Sequence, residues 1–476
     1  MQTAHPRRWT ALAVIALAQF MVIMDTSIIG VALPEIQADL GFTPDSLSWV
    51  FNAYVIALGG LLLLGGRLSD LLGAKRIFSL GWLVLATGSL AAGLADSTGV
   101  EITARAVQGA GAALIAPSAL TLLMMLFGNQ PKELMKAFAI YGAAAPAGGT
   151  AGVFLGGVMT EWISWPWVFY INIPIALGVL AVVPGLMPSA PPRRGSIDFA
   201  GALTATAGLA LTVFGVVRAP EQGWRSAATL ASLAGGVALL GLFVVVQAAR
   251  REPLMRLGIF RAPNLGAANV VQLLLGAAWI PMWFFLNLYL QQVLGYGAFE
   301  SGAALLPMTV TIMVLMVAVA PKVTARYGPK SPIVAGLLLL AAGMTLMALV
   351  RPNGSFLVDV LPASLIAATG MSLAFIPSLG TAIQSAKPEE GGLASGIVNT
   401  SYQVGSALGL AVMTALATSQ GADHLGNASA LTDGYSAAFL GAAGIALIGA
   451  LAAIALVRIP KTTAAEPSET PEAIAA

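Results

Sequence analysis

Asp25 is the residue whose type and position most clearly suggest chemistry, because it lies near the middle of an apolar run from about Trp9 to Leu33. The other acidic residues fall in polar segments or at the ends of apolar runs. A carboxylate deep in a membrane is costly, usually faces a polar cavity and often marks a proton or ion pathway. Loss of water favours the uncharged acid, so such a group can bind and release a proton at cellular pH. The alternative is a structural role, in which the carboxyl group bonds a neighbouring helix.

Arg105 is the only basic residue that falls inside a predicted span, in the fourth apolar run. Small residues at 109–113 follow it and allow helices to approach closely, which would leave the guanidinium buried and in need of partners. Arg105 could hold helices together through backbone carbonyls or Gln108, or it could modulate the proton affinity of a carboxylate such as Asp25. Whether the two side chains meet stays open at this point.

Other reactive side chains are scarce. The chain contains no cysteine and two histidines, His5 and His424, both outside the apolar runs. Disulfides, thiolate metal sites and cysteine nucleophiles are therefore excluded, as is a histidine-based centre within the membrane. Because the spans also hold no second mid-membrane carboxylate, an intramembrane hydrolase finds no support. We expect no enzyme activity and no metal.

Polar and aromatic residues inside the predicted spans are candidates for a substrate cavity. They are Gln19, Asn52, Tyr54, Tyr141, Gln272, Trp279, Trp283, Asn287, Tyr289, Asn399, Tyr402 and Gln403. For each of them, a hydrogen bond between helices or an anchor at the membrane interface is the competing interpretation. Trp279 and Trp283 share a helical face through their spacing of four residues. A mostly apolar cavity with one carboxylate suits a lipophilic ligand, including a cationic one.

The composition places these residues in a membrane. Of the 476 residues 58% are hydrophobic and 9% are charged, whereas a soluble domain has roughly 25% charged residues. A span needs roughly 20 apolar residues. The first run is not a signal peptide, because it is too long for one and contains Asp25, whereas the core of a signal peptide is uniformly apolar. The fourteen predicted spans are approximately 9–33, 47–66, 77–95, 102–126, 136–158, 164–187, 198–217, 227–248, 265–292, 301–320, 332–350, 360–382, 392–418 and 435–458.

Basic residues indicate the orientation of the spans. With Arg7 and Arg8 on the cytoplasmic side and sides alternating at each span, most Lys and Arg residues fall on cytoplasmic segments. This positive-inside bias predicts an even number of spans with both termini in the cytoplasm. The net charge of +2, spread over short loops, argues against a nucleic-acid partner.

The spans divide into two groups of six with two more between them. We predict an N-terminal six-helix bundle at 1–187, a linker with two extra spans at 188–264, a C-terminal six-helix bundle at 265–459 and a disordered cytoplasmic tail at 460–476. Duplicated bundles around a central site are the architecture of many secondary transporters. A weak internal repeat supports the division. Its matching pairs are Arg67 and Lys322, Gly73 and Gly328, Lys75 and Lys330, and Pro117-Ser118 and Pro377-Ser378.

Two segments suggest a conformational change. The turn after the second span contains a carboxylate among basic residues. It could latch the two halves in one state through a charge pair or through an interaction with a helix N-terminus, although the basic residues alone are ordinary topology signals. Its members are Gly66, Arg67, Asp70, Gly73, Lys75 and Arg76. The fifth span is rich in glycine, which permits either tight packing or sliding against a partner. Its key members are Gly148, Gly152, Gly156 and Gly157.

These segments resemble the major facilitator superfamily, and in particular its fourteen-span drug:proton antiporter branch, over essentially the whole chain. The matching motifs are DTSIIGVALP at 25–34, GRLSDLLGAKR at 66–76, RAVQGAGAA at 105–113, GGTAGVFLGG at 148–157 and WPWVFYINIP at 165–174. The sequence departs from the family pattern at Val153, where the antiporter motif has proline, and at Gly30, where asparagine is usual.

The resemblance implies an all-α integral membrane protein with the major facilitator fold, in the cytoplasmic membrane of a bacterium. It also implies export of lipophilic drugs or natural products by alternating access, by a monomer. Asp25 would be the proton carrier, and Arg105 would be coupled to proton movement. Protons would be the coupling ion, and no cofactor is expected. Two alternatives stay open, a transporter of lipids or lipid-linked molecules on the same fold and a membrane receptor or scaffold that transports nothing.

Overall fold

The apolar composition predicts that most of the chain lies in lipid, and the fold of the protein suits that environment. A computed structural model describes residues 7–128, 130–189, 198–251, 253–255, 257–385 and 391–458. These ranges contain long helices and no β-strand. Lipid offers no hydrogen-bond partner to the peptide group, and a helix satisfies its backbone internally. The all-α fold class predicted from the sequence is confirmed.

Fourteen long helical segments, numbered α1–α14, run along the described chain. They are α1 Arg8–Leu40, α2 Pro44–Leu72, α3 Ala74–Gly93, α4 Thr98–Phe127, α5 Pro131–Trp162, α6 Trp167–Leu186, α7 Phe199–Gln222, α8 Ala227–Ala249, α9 Leu265–Val293, α10 Ala298–Tyr327, α11 Lys330–Met347, α12 Phe356–Ser385, α13 Gly391–Ala417 and α14 Ala428–Leu456. Twelve are long and apolar enough to cross a membrane. The other two, α5 and α13, have 32 and 27 residues.

Short turns connect the first helices. Gly41, with φ 69°, ends α1, and the Thr43 side chain accepts the Ser46 backbone N–H at the start of α2. Gly73, with φ 96°, separates α2 from α3. A positive φ is readily adopted by glycine, so these residues allow consecutive helices to reverse direction within a few residues. The turns thereby place α1 to α4 side by side.

Two sets of six helices pack in equivalent ways. In the first set α1 packs on α5, α3 packs on α4 and α6, and α2 packs on α4. In the second set α9 packs on α13, and α11 packs on α12 and α14. The pair α1/α5 corresponds to α9/α13, the pair α3/α4 corresponds to α11/α12, and the pair α3/α6 corresponds to α11/α14. The packing therefore has the duplicated form that the sequence repeat suggests, while the domain boundaries stay a prediction.

Two matched lysines make the same contact in the two sets. Lys75 Nζ donates to the Pro184 carbonyl oxygen at 2.7 Å, near the end of α6. Lys330 Nζ donates to the Ile454 carbonyl oxygen, also at 2.7 Å, near the end of α14. Carbonyl groups at a helix C-terminus lack backbone donors and attract a cation. Each lysine thus ties the start of one helix to the end of another.

The two halves meet through α2 with α13 and through α5 with α10, and direct hydrogen bonds join them near one end of the bundle. We call the end where α1 begins and α14 finishes the terminal face, and the other end the opposite face. Near the opposite face Gln291 Nε2 donates to the Val31 carbonyl oxygen at 2.9 Å, linking α9 to α1. There Glu161 of α5 accepts the Phe299 backbone N–H of α10 at 3.2 Å, and Trp162 stacks on Phe299. These contacts join the halves directly at the opposite face.

The two extra helices form a hairpin beside the halves. Helix α7 packs on α8 and also on α2 and α13, one helix from each half. Asp198 caps α7 by accepting the Gly201 backbone N–H at 2.8 Å. Its other oxygen accepts Gln247 Nε2 of α8 at 2.6 Å, and Arg250 completes an ion pair at 3.2 Å. The hairpin is therefore tied together at its terminal-face end.

The glycines of α5 bring it into close contact with α1. A Cβ at Gly148, Gly152 or Gly156 would lie 2.3 Å, 2.8 Å or 2.6 Å from the carbonyl oxygens of Phe20, Met24 and Ile28 respectively. Gly157 instead faces α10, where a Cβ would lie 2.8 Å from Phe299 Cα. Because these neighbours are backbone atoms, a side chain would push the helices apart. Tight packing, one of the two interpretations of this motif, is present in the structure.

We expect Gly148→Ala to lower the free energy of unfolding by about 1–3 kcal/mol, the usual cost of overpacking. Its matched control is Gly142→Ala on the same helix, where a Cβ would meet no atom within 4 Å. That change should be neutral or slightly stabilising, because alanine favours helices. Thermal unfolding of the two purified variants in detergent gives the comparison. Equal melting temperatures would contradict the packing argument.

Candidate functional site

Asp25 and Arg105 form a buried ion pair between α1 and α4. Arg105 Nη1 lies 2.8 Å from Asp25 Oδ2. The Arg105 side chain is 0% exposed and the Asp25 side chain is 1% exposed. Arg105 Nε donates to the Val50 carbonyl oxygen of α2 at 2.9 Å. The sequence predicted both residues as functional candidates and left their contact open. The structure brings them together.

Three neutral polar side chains complete the surroundings of the carboxylate. Asn172 Nδ2 donates to Asp25 Oδ1 at 2.8 Å, and Gln108 Nε2 donates to the same oxygen at 3.3 Å. Both amides also bond the Ser89 hydroxyl, at 3.1 Å from Asn172 and 2.7 Å from Gln108. The Gln108 oxygen accepts Arg105 Nη1 at 2.7 Å. Helices α1, α2, α3, α4 and α6 thus all contribute to one polar cluster.

Aromatic rings separate this cluster from its surroundings. The guanidinium carbon of Arg105 lies 4.6 Å from the Tyr54 ring centroid and 5.7 Å from that of Phe169. Both rings are fully buried. The cation is attracted to the ring faces, and in such a low-dielectric environment the Coulomb interaction with Asp25 is much stronger than in water.

The arrangement suits reversible protonation. Protonation of Asp25 would remove the charge that Arg105 pairs with, and the guanidinium would then have to find another acceptor or move. Arg105 Nη2 has no hydrogen-bond partner among the described residues, so the arginine has an unused donor. One proton can therefore change the contacts between α1 and α4.

Helix α1 connects this cluster to the boundary between the halves. Its other face packs on the glycines of α5, and Gly30 lies against Trp283 of α9, where a Cβ would be 2.1 Å from Trp283 Cζ3. The absence of a side chain at Gly30 therefore admits the indole, which gives a physical reason for glycine at this departure from the family pattern. A shift of α1 after protonation of Asp25 would be felt directly at α9.

Some predicted cavity residues bond other helices or their own helix. Tyr141 Oη donates to Gln19 Oε1 at 2.7 Å, which joins α5 to α1. Asn399 Nδ2 donates to the Ser395 carbonyl oxygen of its own helix at 2.9 Å. Gln272 bonds Ser378, and Tyr289 bonds the Arg351 carbonyl oxygen. For these residues the structure contains hydrogen bonds within the protein, as the competing interpretation expects.

Other predicted cavity residues lie at helix contacts between the halves or keep unused polar atoms. Trp279 and Trp283 are 8% and 7% exposed. Gln403 of α13 lies against Gly59 of α2 in the other half, whereas Tyr402 contacts Phe375 of α12 edge to face within the second half. Three predicted cavity amides have unpaired atoms among the described residues: both amide atoms of Asn52, the oxygen of Gln272 and the oxygen of Asn287.

In the turn predicted as a latch, Lys75 contacts its own half of the protein. Gly73 supplies the positive φ, Gly66 approaches Pro117, and Lys75 binds the end of α6 rather than a partner in the other half. Asp70 and Arg76 are exposed, Arg67 is partly buried, and Arg67 and Asp70 both have interaction partners. The latch function of this turn stays a prediction.

Sequence reasoning missed three residues of the cluster. Asn172 and Ser89 bond Asp25 or its amide partners, but an isolated asparagine or serine in an apolar run carries no distinctive signal. Glu101 directly precedes the predicted fourth span, and the structure shows it 0% exposed in the first turn of α4. Its spacing of four residues from Arg105 was the available signal, because i and i+4 share a helix face.

The fold and this buried cluster define a membrane transport protein, and sequence comparison identifies the family. Residues 15–410 match the family described as Major Facilitator Superfamily. The chain belongs to the major facilitator superfamily, and its family members are transporters rather than enzymes.

Curated relatives are antibiotic exporters and resistance proteins. The cephamycin export protein of Amycolatopsis lactamdurans is 40% identical, with 91% of this chain and 89% of that protein covered. The puromycin resistance protein of Streptomyces alboniger is 36% identical, with 96% and 92% covered. Among solved structures, an auto-inhibited peptide transporter of the POT family superposes with a TM-score of 0.71 over 97% of this chain and 99% of that one. At 16% identity this last likeness shows the fold alone.

Proposed function

We propose that this protein is a proton-coupled exporter of small-molecule antibiotics or related natural products, with Asp25 as the proton carrier and Arg105 as its partner. The observation that carries the proposal is the fully buried Asp25–Arg105 ion pair, 2.8 Å long, inside an otherwise apolar bundle. A buried ion pair is weak evidence for stability, because its desolvation cost can exceed its Coulomb gain. In membrane proteins, ionisable groups at this depth are commonly parts of proton relays.

The proposed cycle alternates access between the two faces. The terminal face is cytoplasmic in this proposal, supported by the positive-inside distribution of Lys and Arg. The halves touch near the opposite face, through Gln291 and Val31 and through Glu161 and Phe299, and these contacts would open for release. Helix α1 carries both Asp25 and the Gly30–Trp283 contact, so it can transmit protonation to the closing contacts. Gly148, Gly152 and Gly156 provide the close surface on which α1 moves or is held.

The proposed substrate is lipophilic, and its cavity lies between the halves. Support comes from the buried tryptophans Trp279 and Trp283 and from the unpaired amide atoms of Asn52 and Asn287, which could bond a ligand. The relatives are named for cephamycin and puromycin, which differ in chemistry. A cavity with few fixed polar groups can accept such different molecules. The chain acts in a bacterial cytoplasmic membrane as a monomer in this proposal.

The test uses purified full-length protein in liposomes with puromycin as the first probe. An imposed proton gradient should drive accumulation of puromycin on the acidic side, and a protonophore should abolish it. A fluorescent phospholipid measured in the same vesicles examines the alternative lipid substrate. Movement of the lipid without any antibiotic transport would favour the lipid transporter. A third outcome is that the protein transports neither the lipid nor any antibiotic from a panel that includes cephamycin, and that a partner protein binds stably to its loops. That outcome would overturn the exporter proposal in favour of a receptor or scaffold.

A further inference from the structure

Glu101 is a buried carboxyl group that the proposed cycle has not used. It lies in the first turn of α4, 0% exposed, and neither carboxyl oxygen has a hydrogen-bond partner among the described residues. Even the free backbone N–H groups of that turn do not bond it. A buried ionised carboxylate without partners costs several kcal/mol. A group that kept its charge here would need a cation, and a group without one would hold a proton.

The nearest cation is already engaged. Arg105 lies one helical turn from Glu101 on the same face of α4, and it is paired with Asp25. Among the described residues its Nη2 atom has no acceptor, and no ion pair joins it to Glu101. The charged groups that act on Glu101 are Arg105 on its own helix and Asp25 on α1. Tyr54 of α2 lies over the guanidinium, while α3 and α6 contribute the non-titrating Ser89 and Asn172 to the cluster.

One guanidinium can neutralise one carboxylate. Two carboxyl groups beside Arg105 therefore give a neutral trio only when one of them, Asp25 or Glu101, carries a proton. In this structure Arg105 pairs with Asp25, which leaves the proton to Glu101. The alternative neutral arrangement has Arg105 Nη2 bound to an ionised Glu101 and the proton on Asp25. Both arrangements keep the same total charge in the buried site.

We propose that Glu101 is a second proton-binding group and that Arg105 alternates between Asp25 and Glu101. In the exchange a proton leaves the Glu101 carboxyl oxygen and is taken up by the Asp25 carboxylate, while the guanidinium moves from Asp25 to Glu101. No other reactant is needed, and the net charge of the trio stays at zero. Helix α4 begins at the opposite face, so Glu101 lies between Arg105 and that face. It would pass protons between Asp25 and the opposite face, an assignment that rests on the proposed function.

Infrared difference spectroscopy of the full-length protein in liposomes tests the protonation states without any substrate. We expect wild-type protein near neutral pH to show the C=O band of a protonated carboxyl group, and Glu101→Gln to lose that band. Asp25→Asn should lose it too, because Arg105 is then released to pair with an ionised Glu101. The matched control is Glu133→Gln, since Glu133 already pairs with Arg8 at 2.8 Å near the terminal face. That variant should keep the band.

Two outcomes would overturn the inference. A band that persists in Glu101→Gln shows that Glu101 carries no proton, and a band that persists in Asp25→Asn shows that Arg105 does not exchange. If Glu101→Gln does not fold, the Asp25→Asn spectrum alone decides, because it leaves Glu101 in place.

The puromycin assay separates this inference from the proposed function. Glu101→Gln should retain puromycin exchange across vesicles without a gradient and lose accumulation driven by a gradient, and Glu101→Asp should restore part of it. Retention of full gradient-driven accumulation in Glu101→Gln would contradict the relay. If wild-type protein moves no antibiotic, the exporter proposal fails, whereas the infrared result still reports the state of Glu101.

Discussion

Replacement of Asp25 by asparagine should abolish proton-driven accumulation of substrate while leaving the folded protein able to exchange substrate without a gradient. Asparagine has nearly the same shape and keeps an oxygen that can accept from Asn172 or Gln108, but it cannot bind a proton at physiological pH. The change therefore removes the coupling group and preserves most of the packing. Accumulation of puromycin in liposomes, with and without an imposed proton gradient, measures both quantities.

The control for this prediction is another buried carboxylate. Asp198 is also fully buried, accepts a glutamine amide and pairs with an arginine, but it belongs to the α7–α8 hairpin. Asp198→Asn should weaken the end of the hairpin and leave gradient-driven accumulation in place. If Asp25→Asn retains accumulation, or if both variants lose it equally, Asp25 is not the specific proton carrier.

Removal of the Arg105 guanidinium should cause a large loss of stability. In Arg105→Gln, Asp25 keeps two amide donors and loses its ion-pair partner. The Asp25 side chain is only 1% exposed, so water cannot replace that partner. Breaking one side of a buried pair typically costs about 3–5 kcal/mol, because the remaining charge is uncompensated. The double variant with Asp25→Asn has no unpaired charge at this pair and should recover much of that loss. Thermal unfolding in detergent, followed by tryptophan fluorescence, gives the four melting temperatures of the cycle.

A partly exposed ion pair supplies the comparison for this double-variant cycle. Arg8 and Glu133 are 2.8 Å apart near the terminal face, with side chains 16% and 31% exposed. Arg8→Gln should cost about 0–1 kcal/mol, the range for solvent-accessible pairs. A double variant at Asp25 and Arg105 that melts no higher than Arg105→Gln alone would show that the two residues act independently. Recovered stability without recovered transport is the result expected for a coupling pair.

The all-α fold could be predicted from the sequence because helix formation in lipid depends mainly on the residues of each apolar run. Each apolar run must satisfy its own backbone in lipid, so the runs between charged turns become helices of roughly the predicted extent. The observed helices are often longer, as α2 at Pro44–Leu72 shows against the predicted 47–66. Their ends include polar caps such as Thr43 and basic residues such as Arg67, which hydropathy assigns to loops.

The partners in the cluster could not be predicted in the same way, because they depend on rotation and depth of five helices. Asp25 and Arg105 stood out by charge alone, and their contact needed the positions of α1 and α4. Asn172 became a partner of Asp25 only because α6 packs beside α1 and α3. Glu101 showed the opposite problem, since its place near a helix end suggested exposure and the packing buried it. The repeat pairs Lys75 with Lys330, yet it does not indicate the carbonyl acceptors that the two lysines share.

The α7–α8 hairpin gives the transporter two unlike flanks. On one flank the line where α2 meets α13 is covered by α7, which contacts both helices. On the other flank α5 meets α10, and among the described residues the hairpin is not packed there. In the proposed cycle, a lipophilic molecule dissolved in the bilayer would enter between the halves on the α5/α10 side, where the close contacts of α5 with α10 would have to open. In the proposed cycle, rocking of the halves would have to slide α2 and α13 past α7 on the covered side, so we expect an asymmetric motion.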